Sequence, residues 1–335
     1  MAGVAPKCSA PALRPLGFGD RWQRRAFAVP SAARARRANA LVARSKFSEV
    51  ESMNKHFGIK GIEVESGLGD LPKVVLCSSE GSTAEIYLFG ACITSWRTVS
   101  GDELLFVRPD AVFDGTKPIS GGIPHCFPQF GPGVMQQHGF ARNVPWTLST
   151  TENYSGCPSV TLELGPSDYS RNMWDCDFKI EYKVTLEPEA LKTHIHVKNV
   201  DNKEFSFTTA LHNYFHAAIG DVCIKGLKGC KTLNKDPDPK NPTPGVEKRD
   251  EITFSGFYDC MYLNAPREVI LENGLGNTIS IRNKGWTDAV LWNPYLTLKE
   301  SYLNFVCVEN AKLDKVVLQP GEAWAAEQFL RVCSE

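Results

Sequence analysis

The chain has 335 residues, with 37 Lys+Arg against 38 Asp+Glu and a hydrophobic share of 42%. That is enough for a sizeable core, and no continuous apolar run reaches the length of a membrane span or a secretory signal. Ten of the bases but only one acid fall in residues 1–46, so the remainder carries a net charge near −10; with no dominant basic face, nucleic acid and membrane surfaces are not expected partners.

Residues 1–46 are basic, acid-poor and rich in alanine, as in Ala32-Ala33-Arg34-Ala35-Arg36-Arg37-Ala38. This composition predicts an organelle transit peptide without fixed structure. The small-residue opening tilts the address toward the plastid stroma over the mitochondrion. An ordinary basic tail is the plain alternative.

Residues 49–335 read as one all-β domain. Phe178, Ile180, Tyr182, Val184 and Leu186 alternate with polar residues, which is the period of a strand. Leu191, Thr193, Ile195 and Val197 continue after the Glu187-Pro188-Glu189 turn, as a hairpin partner does. Similar runs occur at Lys73–Leu76, Glu85–Phe89, Val160–Leu164, Phe205–Ala210, Thr278–Arg282, Phe305–Val308 and Trp324–Val332. Together they predict a large antiparallel sandwich. The proline-rich stretch Asn234–Arg249 is expected to be a surface loop. Eleven cysteines are scattered without a C-x-x-C pair, so reduced, mostly buried thiols are expected and a structural zinc site is not.

The stretch Asp114–Arg142, DGTKPISGGIPHCFPQFGPGVMQQHGFAR, is dense in glycine and proline, which set turns. Its aromatics, amides, imidazoles and guanidinium make a lining suited to a polyhydroxylated ligand, or a packed structural loop. His138 opens His138-Gly139-Phe140-Ala141-Arg142, where small residues let an imidazole and a guanidinium approach one ligand. His125 reads as core or site, and His56 as surface. His194 and His196 share one face of a strand and read as solvated. A strand ending at His212 points that imidazole into a cleft and leaves His216 beyond it. Glu309 ends the apolar run Phe305–Val308, where desolvation raises a carboxyl pKa and makes a better base. Neither phosphate-binding glycine loops nor a G-x-S-x-G elbow occurs. The residues therefore point to cofactor-free acid/base chemistry on a polar small molecule.

The chain resembles the hexose-6-phosphate mutarotases (glucose-6-phosphate 1-epimerases) of the aldose 1-epimerase superfamily. The resemblance rests on GACITSW (Gly90–Trp96), GGIPHCFPQFGP (Gly121–Pro132), QHGFARN (Gln137–Asn143), ALHNYF (Ala210–Phe215), LWNPY (Leu291–Tyr295), CVENA (Cys307–Ala311) and PGEAW (Pro320–Trp324), in that order. It implies a β-supersandwich and interconversion of the α and β anomers of a hexose 6-phosphate without a cofactor. His212 then protonates the ring oxygen and Glu309 takes the anomeric proton, each group contributing about 10²–10⁴-fold. Gln137, His138 and Arg142 match sugar- and phosphate-contacting positions, and Asp259 an acid that holds sugar hydroxyls. Ser120 stands where the family commonly has a phosphate-binding arginine, with Lys117 or Arg97 as compensating cations. Three other readings stay open: an epimerase of unphosphorylated sugars, a non-catalytic sugar-binding regulator, and a glycoside hydrolase using Asp259 with Glu309.

Overall fold

In the computed structural model, residues 48–333 are described; the transit-peptide expectation for residues 1–46 lies outside them. One helix spans 48–57 and a single helical turn Asp168–Arg171; apart from short 3₁₀ turns, the regular structure of the described residues is antiparallel strand. None of their helices is long and apolar enough to cross a membrane.

The strands form a four-stranded sheet at the N-terminal end (Ile62–Arg97), an eight-stranded sheet and a nine-stranded sheet. The expected hairpin is present. Phe178–Glu187 pairs with Ala190–Asn199 across the Glu187-Pro188-Glu189 turn, and its alternating residues are buried. One core is built from both larger sheets: Leu211, Val306, Val308 and Leu291 from the eight-stranded sheet, and Tyr182, Ile195, Ile281 and Leu330 from the nine-stranded one. Each such side chain contributes about 1.5–3 kcal/mol on burial. Alternation sends the intervening residues of the eight-stranded sheet to its opposite face, where Ala210, Val290, Ala311, Cys126, Tyr214 and Cys307 lie.

Of the two readings of the glycine-rich stretch, the packed one holds for Phe127 and Phe140, which line no ligand surface. Both are fully buried, and Phe127 packs on Phe178 at 5.7 Å and Phe207 at 5.1 Å. They anchor the loop to the core; composition alone cannot separate an aromatic anchor from an aromatic lining. The stretch Asn234–Arg249 is also more than a surface loop. It starts at the end of strand Lys231–Asn234 and contains its hairpin partner Thr243–Val246, and Glu247 is buried within it. The ten described cysteines are free, most of them buried.

Candidate active site

Strand Phe205–Leu211 pairs with Phe305–Leu318 as far as Leu211 opposite Asn310, and Tyr214–His216 resumes the same register at Tyr214 opposite Cys307. The register therefore sets His212 opposite Glu309. On the other side of the strand the His212 backbone N–H donates to the Pro124 carbonyl at 3.0 Å, continuing the register that sets Leu211 opposite His125. Leu211 and Val308 belong to the core, so His212 and Glu309 emerge together on the other face.

The His212 Nε2 and Glu309 Oε1 atoms are 3.5 Å apart, with the side chains only 10% and 2% exposed. Their other polar atoms, His212 Nδ1 and Glu309 Oε2, are buried without a hydrogen-bond partner. Groups left this way in a folded protein are poised for a ligand or store free energy. Burial is the main cause of both pKa shifts: it holds His212 well below its ordinary value, assisted by the charges of His138, Arg142 and Lys235, and holds Glu309 well above its own. Both directions favour the uncharged pair. Moving one proton from Glu309 to His212 turns it into carboxylate and imidazolium without changing the net charge, so the pair holds a single transferable proton.

Aromatic rings fix the imidazole. Tyr214 stacks on His212 at 4.6 Å, and Trp292 meets its edge at 5.8 Å. His138 lies 5.6 Å from it. His138 is held in the left-handed region at φ 66°, a conformation side chains rarely adopt without support. The support comes from Gly131, whose carbonyl accepts from the His138 N–H at 3.0 Å and whose N–H donates to His138 Nδ1 at 3.2 Å. Burial, then the Arg142 and Lys235 charges, bring the His138 pKa to about 3. Because Nδ1 accepts, the neutral ring carries its proton on Nε2; the Gln137 side-chain nitrogen lies 3.3 Å away and, being a donor itself, leaves that N–H free for a ligand. Gly139 follows because a Cβ there would lie 2.2 Å from the Phe127 carbonyl oxygen.

Arg142 donates through a terminal nitrogen to the Gln137 carbonyl at 2.9 Å, and its Nε is buried without a partner. Asp259 projects from strand Tyr258–Leu263 on the face of Glu309, since its neighbours Cys260 and Tyr262 are core residues. Its Oδ1 meets Lys235 Nζ at 3.1 Å. Burial raises the Asp259 pKa against the pull of Lys235. Lys235 also lies over the Phe130 ring at 5.2 Å; Phe130 and His138 are in edge contact at 5.4 Å.

His212, Glu309, His138, Gln137, Arg142 and Asp259 are thus linked by direct contacts or by the charges that act on one another. Ser120 brings no charge: it is half-buried, and its carbonyl accepts from the Arg108 N–H at 2.9 Å. Arg97 is engaged with Glu103 at 3.3 Å and is more than half exposed. Lys117 is exposed, with its backbone N–H donating to Asp114. The cations whose charges bear on both His212 and Glu309 are instead Arg142 and Lys235. Lys235 was not legible in the sequence, because a lysine in a proline-rich run looks solvated; Trp292 and Tyr214 carried the only available signal, alternation with core residues.

The other histidines serve elsewhere. His125 is buried in the core against Trp146 and Tyr182, its pKa brought down to about 3 by burial. His216 stacks on Phe106. His194 is exposed and His196 lies near Glu181. A surface cleft of about 790 Å³ around Gly61, Cys77 and Gly156 includes none of the residues just described.

The stacked antiparallel sheets have the fold of the galactose mutarotase-like proteins. A Clostridium acetobutylicum galactose mutarotase-like protein shares the fold at a TM-score of 0.68 and 15% identity, over 82% of this chain and 98% of its own. The chain belongs to the aldose 1-epimerase family, whose model matches residues 72–331. A Cenchrus ciliaris protein provisionally named glucose-6-phosphate 1-epimerase is 35% identical over 273 residues, 76% of this chain and 82% of that protein. An Escherichia coli K12 protein of the same provisional name is 33% identical, over 68% of this chain and 79% of its own. The crystal structure of a Salmonella typhimurium protein, provisionally a mutarotase, superposes at a TM-score of 0.75 with 27% identity, covering 83% and 95% of the two chains.

Proposed function

We propose that the protein is an isomerase that interconverts the α and β anomers of a hexose 6-phosphate, glucose 6-phosphate first among them. The observation that carries this reading is the opposed His212–Glu309 pair, 3.5 Å apart, nearly closed to solvent and with one unpartnered buried atom on each residue. Family membership and the names of the relatives support the same chemistry.

In the working state Glu309 is the carboxylate and His212 the imidazolium. Glu309 takes the proton from the anomeric hydroxyl while His212 protonates the ring oxygen, and the C1–ring oxygen bond breaks to give the open aldehyde. Rotation about the C1–C2 bond presents the other carbonyl face. Reclosure returns a proton from Glu309 to the new anomeric hydroxyl and the ring proton to His212, so no proton is consumed. Asp259 and Gln137 hold sugar hydroxyls, and His138 donates through Nε2. The phosphate is recognised by Arg142 and Lys235 in place of the arginine absent at Ser120. A charge-assisted contact of this kind is worth about 1.5–3 kcal/mol.

Two-dimensional exchange NMR tests the proposal. Fast α/β exchange of glucose 6-phosphate, abolished in Glu309→Gln, is the expected result. Fast exchange of glucose alone would move the substrate to unphosphorylated sugars, the reading that uncharged Ser120 favours. Exchange with neither would leave a sugar-binding protein. We also propose that residues 1–46 direct the protein to a plastid, on their composition; a fluorescent fusion of that segment that stays outside plastids would refute it.

A further inference from the structure

Next to the acid/base pair the ladder keeps only one of its two backbone hydrogen bonds: the Val308 N–H donates to the Asn213 backbone carbonyl at 3.2 Å, but the Asn213 N–H turns to the Leu211 carbonyl at 3.1 Å. A buried amide cluster on the reverse side of the sheet supplies the missing one. Asn213 follows His212 directly, and Asn310 follows Glu309. The Asn213 side-chain nitrogen donates to the Val308 carbonyl at 2.8 Å, the acceptor that the Asn213 N–H leaves free. The same Asn213 amide donates to Gln328 Oε1 at 2.8 Å, and Asn310 donates to that oxygen at 2.7 Å. Gln328 belongs to strand Ala323–Cys333 of the opposite, nine-stranded sheet. All three amides are at most 3% exposed. Both residues flanking Glu309 are therefore held, one by the neighbour of His212 and the other by the glutamine that also holds that neighbour.

Resting on the reading of His212 and Glu309 as the acid/base pair, we infer that Gln328 is a positioning residue: its single oxygen clamps Asn213 and Asn310 and so sets the separation at which the pair exchanges its proton with the sugar. The geometry assigns the role to the oxygen alone. Gln328 Nε2 is buried without a partner, so the nitrogen supplies nothing that fixes either asparagine. A protonated carboxyl in the same place would retain the double acceptor, whereas an aliphatic side chain of similar size would not. The hydrogen-bond partners and cross-strand neighbours of Gln328, namely Asn213, Asn310, Thr193 and Asn283, are uncharged, so a carboxyl introduced there is kept neutral well above the ordinary carboxylate range.

The experiment compares wild type, Gln328→Leu and Gln328→Glu by exchange NMR with glucose 6-phosphate between pH 5.5 and 8.5, with thermal melts alongside. Gln328→Leu is expected to lower kcat about 10–100-fold with KM within about twofold, since misplacing reacting groups by an ångström costs about that much. Gln328→Glu is expected to keep most of kcat at the acid end of the range and to lose it as pH rises and the carboxyl ionises, a limb absent from wild type. A folded Gln328→Leu with wild-type kcat would overturn the inference, as would a Gln328→Glu variant impaired equally at every pH. If Gln328→Leu does not melt cooperatively, Gln328→Glu alone decides. Failure of wild type to exchange any anomer would refute the underlying reading instead.

Discussion

Two glutamates of this molecule are buried to a similar degree and have opposite fates. Glu247 and Glu309 are 7% and 2% exposed. Glu247 accepts from the backbone N–H groups of Lys248 and Arg249, from the Arg249 guanidinium at 2.9 and 2.8 Å, and from the Tyr262 hydroxyl at 2.9 Å. Those bonds, led by Arg249, bring its pKa down to about 2. Glu309 meets only His212, keeps one oxygen unpartnered, and is driven upward by burial. Burial alone does not prepare a carboxyl for proton transfer; burial with its hydrogen bonds withheld does.

The largest way to test the contrast is to remove each acid in turn. Glu309→Gln is expected to reduce anomer exchange by about 10³-fold or more, in the upper part of the range for a general acid/base group, and Glu247→Gln to leave it within about twofold. Stability should move the other way. Glu247→Gln is expected to lose about 1–3 kcal/mol, toward the lower end because Arg249 is 47% exposed. Glu309→Gln should melt higher than wild type, since a buried group that resists ionisation is removed.

Recognition comes next in size. Lys235→Met is expected to raise KM for glucose 6-phosphate about tenfold or more and to affect glucose less, because the charge-assisted contact to phosphate is lost only for the first. Arg97→Ala, which removes a half-exposed partner of Glu103, should change KM less than twofold. Equal effects of the two would remove the distinction between a site cation and a surface cation.

Thermal melts against pH sharpen the comparison further. The folded pKa of Glu247 lies below its ordinary value of 4.5, so its contribution is present above pH 4.5 and lost as pH falls toward about 2. The folded pKa of Glu309 lies above that value, so wild type loses stability as pH rises from 4.5, and the advantage of Glu309→Gln should grow over the same range. In activity, the pair works with one proton on it. The depressed His212 and raised Glu309 therefore predict a broad plateau of kcat across neutral pH, with an acid limb where His212 gains a second proton and an alkaline limb where Glu309 loses the last. A narrow bell centred near pH 6.5 would contradict it.

Much of this was legible in the sequence wherever local periodicity determined the outcome. Alternation located the Phe178–Glu187 hairpin, the end of the strand before His212, and the acid terminating Phe305–Val308. It failed where the decisive partner is remote in sequence. Phe127 and Phe140 look the same on a ligand surface or in a core, Lys235 is drawn out of solvent by Asp259 and the Phe130 ring, and Gln328 is one more polar residue in a strand until Asn213 and Asn310 meet it across two sheets.

The hairpin that delivers Lys235 lies at the edge of the eight-stranded sheet, with Thr243–Val246 outermost, whereas His212 and Glu309 occupy or adjoin interior strands. Edge elements open locally at lower free energy than interior ones. With the roles proposed above, the molecule is divided into a stiff reaction centre and an exchangeable part of its selector. Grafting a different edge hairpin onto this sheet would retune which sugar derivative is admitted while leaving the proton-transfer strands, and the register that aligns them, untouched.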